Sequence, residues 1–279
     1  CYCSALTSVT IGNNVEIIDW YAFYNCSSLT SITIPNSVTS IKNQAFQGCS
    51  SLTSVTIGNN VTLIDNIAFF ECSSLTSITI PDGVKNIENN TFKCCSNLTS
   101  ITIPDSVTNI GKAAFQCCYN LAIINIPDSV TQIEDGAFSS CSSLKSIVIP
   151  NYLTHLEGGM FFDCTNLTSI TIPNSIISIG KNVFHICLSL TSIEYLGTIQ
   201  QWENIEKEID WNKDLNLKYI HCIDGYIKFE ETNDDFDDID SYDNHEYHYN
   251  SYYGDFDDIS DPLDAFEGDI DLYNEWLQR

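Results

Sequence analysis

Cysteine is the residue type in this chain whose side chain could most readily react or bind a metal, and its spacing is regular. Nine of the 13 cysteines recur at a constant step of 23 residues. This cysteine column consists of Cys3, Cys26, Cys49, Cys72, Cys95, Cys118, Cys141, Cys164 and Cys187. Side chains stacked in parallel would not bring their Cβ atoms as close together as a disulfide requires. We therefore predict free, buried thiols that pack as small apolar residues.

Two further cysteines, Cys94 and Cys117, directly precede members of this column. They put four thiols into two consecutive repeats, which suggests a zinc site. Zinc requires its four ligands to converge on one ion, whereas side chains at consecutive positions should point apart. We therefore expect no metal here. A disulfide between Cys94 and Cys117 is the favoured alternative if the compartment is oxidising.

No other set of residues indicates catalysis or a cofactor. The abundant serines lie in repeated Thr-Ser-Ile and Cys-Ser-Ser phrases, and no recognisable motif places one beside a base. The sequence has no phosphate-binding loop. Two Asp-Phe-Asp-Asp-Ile phrases near the C-terminus lack the glycine and glutamate of a calcium loop. We predict a protein without enzymatic activity, cofactor or metal.

The charge of the chain argues against two classes of partner. Asp and Glu number 37 against 11 Lys and Arg, which gives a formal charge of −26, and the chain has a single arginine. A basic surface for nucleic acid is therefore absent, and charge would not hold the chain on an anionic membrane. No apolar run in this sequence approaches the roughly 18 residues of a membrane span. We expect a protein partner and a monomer.

The elements that carry these residues are repeats of 23 residues, written C-x-x-L-x-x-I-x-I-P-x-x-V-x-x-I-x-x-x-A-F-x-x. In the second repeat Ile32 and Ile34 alternate with Ser31 and Thr33, which is the period of a short strand. Pro35 ends the strand because it cannot donate a hydrogen bond to a continuing sheet. The apolar positions that follow fit either helical spacing or a short bent strand followed by a helical turn. Because one repeat cannot bury its own apolar face, we predict a stacked solenoid.

This repeat resembles the BspA-type, or Treponema pallidum-type, leucine-rich repeat. The residues that carry the resemblance in the second repeat are Leu29, Ile32, Ile34, Pro35, Val38, Ile41, Ala45, Phe46 and Cys49. The resemblance implies an α/β repeat solenoid: a right-handed coil with one parallel sheet along its concave face and short helical turns or short strands on its convex side. It also implies a protein without enzymatic activity, of a kind used on the surfaces of bacteria and parasitic protists for adhesion and host binding. It carries over no fixed binding residues.

We divide the chain into three parts. Residues 1–195 form the repeat array, with eight full repeats and a partial ninth, and the chain begins in mid-pattern as though its N-terminus were missing. Residues 196–229 form a C-terminal cap of a helix and a hairpin. Residues 230–279 form an acidic tail rich in tyrosine and aspartate, which high charge and few aliphatic residues predict to be disordered.

Two local patterns support the cap. Thr198 and Gln201 fit a capping box at the start of a helix. The apolar face of that helix would comprise Ile199, Trp202, Ile205 and Ile209. Asp224-Gly225 lies between two alternating runs over residues 219–229 and predicts a hairpin.

The outward-facing side chains of the predicted sheet are the candidate protein-binding face. The candidates are Ser31, Thr33, Ser54, Thr56, Ser77, Thr79, Ser100, Thr102, Ile123, Asn125, Lys145, Val148 and Thr171. One interpretation is a uniform hydroxyl surface that keeps the sheet soluble. The other is a binding face centred on the departures at Ile123, Asn125, Lys145 and Val148.

The favoured function is a cell-surface or secreted scaffold for adhesion or host interaction. The alternative is an intracellular or viral scaffold, cytoplasmic in location, whose acidic tail recruits a basic partner.

Overall fold

The structure, a computed structural model, describes residues 3–229, which form a stack of coils. Each regular coil contributes one longer strand to a main sheet of parallel strands, which strand pairing divides into two five-stranded parts; all strands are numbered in chain order. These strands are β2 (Ser31–Thr33), β4 (Ser54–Thr56), β6 (Ser77–Thr79), β8 (Ser100–Thr102), β10 (Ile123–Asn125), β12 (Ser146–Val148), β14 (Ser169–Ile172), β16 (Ser192–Tyr195) and β18 (Tyr219–Cys222). The last strand, β19 (Gly225–Lys228), pairs with β18 in the antiparallel sense.

A second series of parallel strands follows the proline or glycine turn of each coil. Each strand has only two residues. They are β1 (Ile17–Ile18), β3 (Ser40–Ile41), β5 (Leu63–Ile64), β7 (Asn86–Ile87), β9 (Asn109–Ile110), β11 (Gln132–Ile133), β13 (His155–Leu156), β15 (Ser178–Ile179) and β17 (Glu206–Lys207). The fold is therefore a β-solenoid of about nine coils and not the α/β repeat that the resemblance implied. In residues 3–229 the one helix is α1 (Ile199–Glu203), which lies beyond the last regular repeat.

The segment around the Ala-Phe pair of each coil explains why the array has no helix. Alternate N–H groups of this segment donate to the next coil, and those between them donate to the residue three positions earlier, as Gln47 does to Gln44 at 3.2 Å. The N–H of Phe46 donates to the carbonyl of Ala68, and that of Gly48 donates to the carbonyl of Phe70, both at 2.8 Å. Each of the first eight coils also places two residues with positive φ here, such as Gln44 at 58° and Gly48 at 71°. Left-handed residues at this spacing interrupt a regular right-handed helix.

The core consists of columns of identical or similar side chains, and the predicted inward columns are confirmed. In the second repeat every predicted core residue is at most 4% exposed: Leu29, Ile32, Ile34, Val38, Ile41 and Phe46. The phenylalanines from Phe23 to Phe184 form one continuous stack, with successive ring centroids 5.1–5.8 Å apart and interplanar angles of 2–10°. Burial of each such side chain contributes about 1.5–3 kcal/mol.

Stacking continues past the end of the periodic pattern. β17 pairs with β15, and β18 pairs with β16, so residues 206–222 still follow the coil. Between β16 and β17, α1 begins with the predicted capping box of Thr198 and Gln201. The predicted hairpin is present as β18 and β19, with Cys222 opposite Gly225.

The predicted apolar face of this helix is only partly right. Trp202 and Ile205 are buried, and the Trp202 ring lies 5.1 Å from that of Tyr195 and 5.9 Å from that of Trp211. Ile209, however, is 82% exposed. The helix ends at Glu203 with Asn204 as its C-cap, so the helical spacing does not extend to Ile209.

The predicted acidic tail, residues 230–279, lies outside the described residues. At five residues, the helix in the described part of the chain is far too short to cross a membrane.

Candidate functional site

The main sheet presents alternate residues of each strand outward. In β2, β4, β6, β8, β10 and β12 the middle residue is buried and the two flanking residues are exposed. All the candidate residues on these strands are therefore exposed, and so is Lys145, directly before β12. Thr171 is half-buried, with Val148 and Glu194 opposite it on the two neighbouring strands.

Two large apolar side chains break this hydroxyl surface. Ile123 on β10 is 73% exposed and Val148 on β12 is 65% exposed, and these two strands lie side by side. Asn125 and Val148 also line a groove of about 570 Å³ that runs along the neighbouring proline turns, with Asp105 at its rim. Three of the candidate residues that depart from the hydroxyl pattern thus lie on neighbouring strands, and Lys145 directly precedes the second of these strands. We call Ile123, Asn125, Lys145 and Val148 the mixed patch.

The backbone of the main sheet also changes at the mixed patch. Strand pairing runs from β2 to β10 and again from β12 to β19, but within residues 3–229 no strand pairing joins β10 to β12. In four other coils the threonine directly before the strand donates its hydroxyl to the carbonyl at the equivalent position of the preceding coil. Thr53 does so to Thr30 at 3.0 Å, and Thr76, Thr99 and Thr168 make the same bond. Ala122 and Lys145 replace this threonine in the two coils at the break. The hydrogen-bonding role of this threonine column was not predicted from the sequence, although the threonines recur every 23 residues.

The cysteine column lies behind the sheet and is confirmed as free thiols, buried from Cys26 to Cys187. Cys3 is exposed, so burial was wrongly predicted there; in the described residues no earlier coil covers it. From Cys49 onward each column thiol donates to the carbonyl of the phenylalanine 26 residues earlier, at 3.0–3.3 Å. Desolvation by burial raises the pKa of Cys95 to about 12. From the sequence these cysteines were predicted to pack as apolar residues, and their role as hydrogen-bond donors was not predicted. The constant 26-residue offset between each cysteine and a phenylalanine was the signal for it.

Cys94 and Cys117 behave differently from the column. Both are free thiols in this structure, so the conditional disulfide is not formed. Their side chains lie close enough for each to shift the pKa of the other, and the Tyr119 side chain also lowers the pKa of Cys117. Cys94 is half-buried and Cys117 is 7% exposed. In the part of the chain that the structure describes, no group of three or more His, Cys, Asp or Glu side chains is arranged to hold a metal ion.

Comparison with known families agrees with this architecture. The family model described as the BspA type leucine rich repeat region matches residues 1–122 and 108–222, with six copies of its repeat. The chain belongs to the BspA-type leucine-rich repeat family. This membership accounts for the 23-residue period and for the stacked parallel strands.

Solved structures similar to this BspA-type chain include a leucine-rich repeat protein from Bacteroides ovatus. It is 25% identical, with a TM-score of 0.56, and the match covers 75% of this chain and 64% of that protein. The T. pallidum leucine rich repeat protein is 30% identical, with a TM-score of 0.47 and coverage of 63% and 72%. A leucine rich cell surface protein from Faecalibacterium prausnitzii is 26% identical, with a TM-score of 0.31 and coverage of 72% and 89%. No protein with a curated description matches the chain.

Proposed function

We propose that this BspA-type array is a protein-binding scaffold without enzymatic activity, and that it binds its partner on the outward face of the main sheet around the mixed patch. The observation that carries this proposal is the exposure of Ile123 and Val148, at 73% and 65%, on adjacent strands that follow four strands with only serine and threonine facing outward. Apolar side chains clustered on a polar surface are typical of interaction sites.

The surroundings of the mixed patch suit a protein partner. Ile123 and Val148 supply the apolar centre, Lys145 supplies a positive charge, and Asn125 supplies amide hydrogen-bonding groups beside the groove. Interfaces usually combine such an apolar centre with a polar rim. The serine and threonine columns from Ser31 to Thr102 would extend the rim along the sheet. We expect the partner to present an apolar side chain together with a carboxylate for Lys145.

Family membership supports the remaining parts of the proposal. We place the protein at a cell surface or in secretion, with a role in adhesion or host interaction. We also propose a right-handed coil, because a crossover between parallel strands of one sheet is right-handed in about 98% of cases. Segment 196–229 would be the C-terminal cap of the array, since its Trp202, Ile205 and Leu217 are buried against the last coils.

The experiment resets the mixed patch to the pattern of the other coils. The variant carries Ile123→Ser, Asn125→Thr, Lys145→Thr and Val148→Thr. The intact chain is used to capture proteins from host-cell surface extracts, captured proteins are identified by mass spectrometry, and affinities are measured with the purified partner. Because central apolar residues dominate most interfaces, we expect the reset variant to bind at least about tenfold more weakly.

A matched control removes an exposed apolar residue elsewhere. Ile177 is 57% exposed and lies directly before β15, away from the main sheet. Ile177→Ser should leave the affinity unchanged. Binding that survives the four substitutions, or that Ile177→Ser weakens equally, would contradict the proposed site.

A further inference from the structure

Cys94 and Cys117 occupy equivalent positions in consecutive coils. Both have a left-handed backbone, with φ of 61° and 60°. The N–H of Cys94 donates to the carbonyl of Gln116 at 2.8 Å, so its backbone runs directly beside that of Cys117. Adjacent hydrogen-bonded segments lie about 4.8 Å apart. This spacing falls inside the range of about 4.4–6.8 Å between the Cα atoms of disulfide-bonded cysteines.

The two thiols also converge, unlike those of the cysteine column. Cys95 and Cys118, one residue further on, each donate to a phenylalanine carbonyl at 3.2 Å and are fully buried. Cys94 and Cys117 instead interact with each other, and each is the largest cause of the shift in the other's pKa.

The electrostatic surroundings of the two sulfurs differ. The neighbouring Cys94 thiol is the largest cause that lowers the pKa of Cys117 to about 7, and Tyr119 and the charge of Lys93 act in the same direction. The Cys117 side chain, together with burial, raises the pKa of Cys94. These surroundings favour the thiolate form at Cys117 over that at Cys94.

The two sulfurs differ in access as well. Cys94 is half-buried and lines an open groove of about 700 Å³, together with Glu71 and Tyr119. Cys117 is 7% exposed and does not line this groove. A small molecule in the groove would thus meet Cys94 first, with Cys117 next to it.

We propose that Cys94 and Cys117 are a redox-active dithiol that reacts with low-molecular-weight disulfides and closes into an intramolecular disulfide between coils. This inference is independent of the protein-binding face, because the groove shares no lining residue with the mixed patch.

The exchange has two steps. First, the S–H bond of Cys94 breaks as its proton moves to the Cys117 sulfur, the Cys94 sulfur bonds to one sulfur of the reagent, and the other half of the reagent leaves as a thiolate. Second, Cys117 loses a proton to solvent, attacks the Cys94 sulfur and expels the second half of the reagent as a thiolate. The two cysteines lose two electrons, and the two departing thiolates carry them away.

The test uses the full chain and oxidised glutathione as the probe. The reduced protein is incubated at neutral pH, quenched with acid, and analysed by intact mass and by peptide mapping without reduction. We expect a Cys94–Cys117 cross-link and a mass lower by two hydrogens at this site, while Cys95 and Cys118 stay unmodified. A persistent glutathione adduct on Cys94 without the cross-link, or no reaction at either residue, would overturn the proposal.

Single variants test the separate roles. Cys117→Ser removes the resolving sulfur, so a stable mixed disulfide should accumulate on Cys94. Cys94→Ser leaves only the less exposed sulfur, so adduct formation at Cys117 should be at least about tenfold slower. Cys117→Ala repeats the first variant without a hydroxyl, in case serine disturbs the packing. Equal adduct rates in the Cys94 and Cys117 variants would contradict the assigned order of attack.

Discussion

The inward and outward sides of the main strands differ in how much they vary from coil to coil. The buried middle residue is isoleucine or valine in every paired strand from Ile32 to Ile193. The outward positions are serine and threonine in four coils and then change to Ile123, Asn125 and Val148. Each inward side chain contacts its own counterparts in the coils above and below, so one change disturbs two neighbours. Outward positions carry no such constraint, and differences there are available for recognition.

The same contrast appears in cysteines one residue apart. Cys118 belongs to the interior and is held by a phenylalanine carbonyl, whereas Cys117 is paired with another thiol next to a groove. Residue type is identical and only the position in the coil differs. Position therefore decides whether a thiol is a structural hydrogen-bond donor or a reactive group.

The largest expected effect of this contrast appears at alkaline pH. Burial raises the pKa of Cys49, Cys95 and Cys187 from the ordinary value of 9.0 to about 12. Above about pH 9 the unfolded chain therefore loses these protons while the folded chain keeps them, so the free energy of unfolding falls as pH rises. Each such thiol lowers the free energy of unfolding by about 1.4 kcal/mol per pH unit, and the three together lower it by about 4 kcal/mol per pH unit. Denaturant unfolding followed by circular dichroism at pH values from 8 to 11 measures this.

The control for the alkaline effect is Cys95→Ala. The variant is expected to be less stable at every pH, but its loss of stability per pH unit should be smaller by about 1.4 kcal/mol, the contribution of one thiol. Tyrosines and lysines titrate equally in both proteins. An unchanged slope would mean that Cys95 is not protected in the folded array.

A second expected effect is a difference in the stability lost when each of two adjacent phenylalanines is replaced by alanine. Phe69 is fully buried in the phenylalanine stack, 5.2 Å from Phe46 and 5.7 Å from Phe92. Phe70 is half-buried, with the Lys93 ammonium 5.8 Å from its ring. We expect Phe69→Ala to lower the free energy of unfolding by about 3–5 kcal/mol. Phe70→Ala should cost about 1 kcal/mol, chiefly the lost cation–π contact. Equal losses would show that the stack is not the structural interior.

Much of the fold was predictable because the repeat is a physical unit. The strand of each coil, the proline turn and the inward columns follow from a period of two inside a period of 23. The second strand was not separable from a helical turn, since Val38, Ile41, Ala45 and Phe46 fit helical spacing equally well. The left-handed backbone at Gln44 and Gly48 decides between them, and of these two only the glycine hints at it in the sequence.

The candidate face was predictable in position but not in detail. Alternation alone indicated that Ile123 and Val148 point outward, and their exposure agrees. The break in strand pairing between β10 and β12 was not anticipated, because it depends on backbone hydrogen bonds. The convergence of Cys94 and Cys117 was raised only as a conditional disulfide, since side-chain direction at a left-handed position does not follow from strand or helix periodicity.

The smallest expected effect decides whether the mixed patch exists for stability or for binding. Ile123 and Ile124 are adjacent on β10, yet Ile123 is 73% exposed and Ile124 is 7% exposed. Ile123→Thr keeps a β-branched side chain on the surface and should change the free energy of unfolding by at most about 0.5 kcal/mol. Ile124→Thr buries a hydroxyl and removes a methyl group from the core, and should cost about 2 kcal/mol or more.

Thermal and denaturant unfolding of the two variants give the comparison directly. If Ile123→Thr were as destabilising as Ile124→Thr, Ile123 would be holding the coils together at the break in the sheet, and its exposure would no longer argue for a partner. If instead the Ile123 variant is as stable as the parent chain, nothing in the folding of the array explains an isoleucine at that position. A weaker affinity of the Ile123→Thr variant for the partner can then be assigned to the lost interface contact alone.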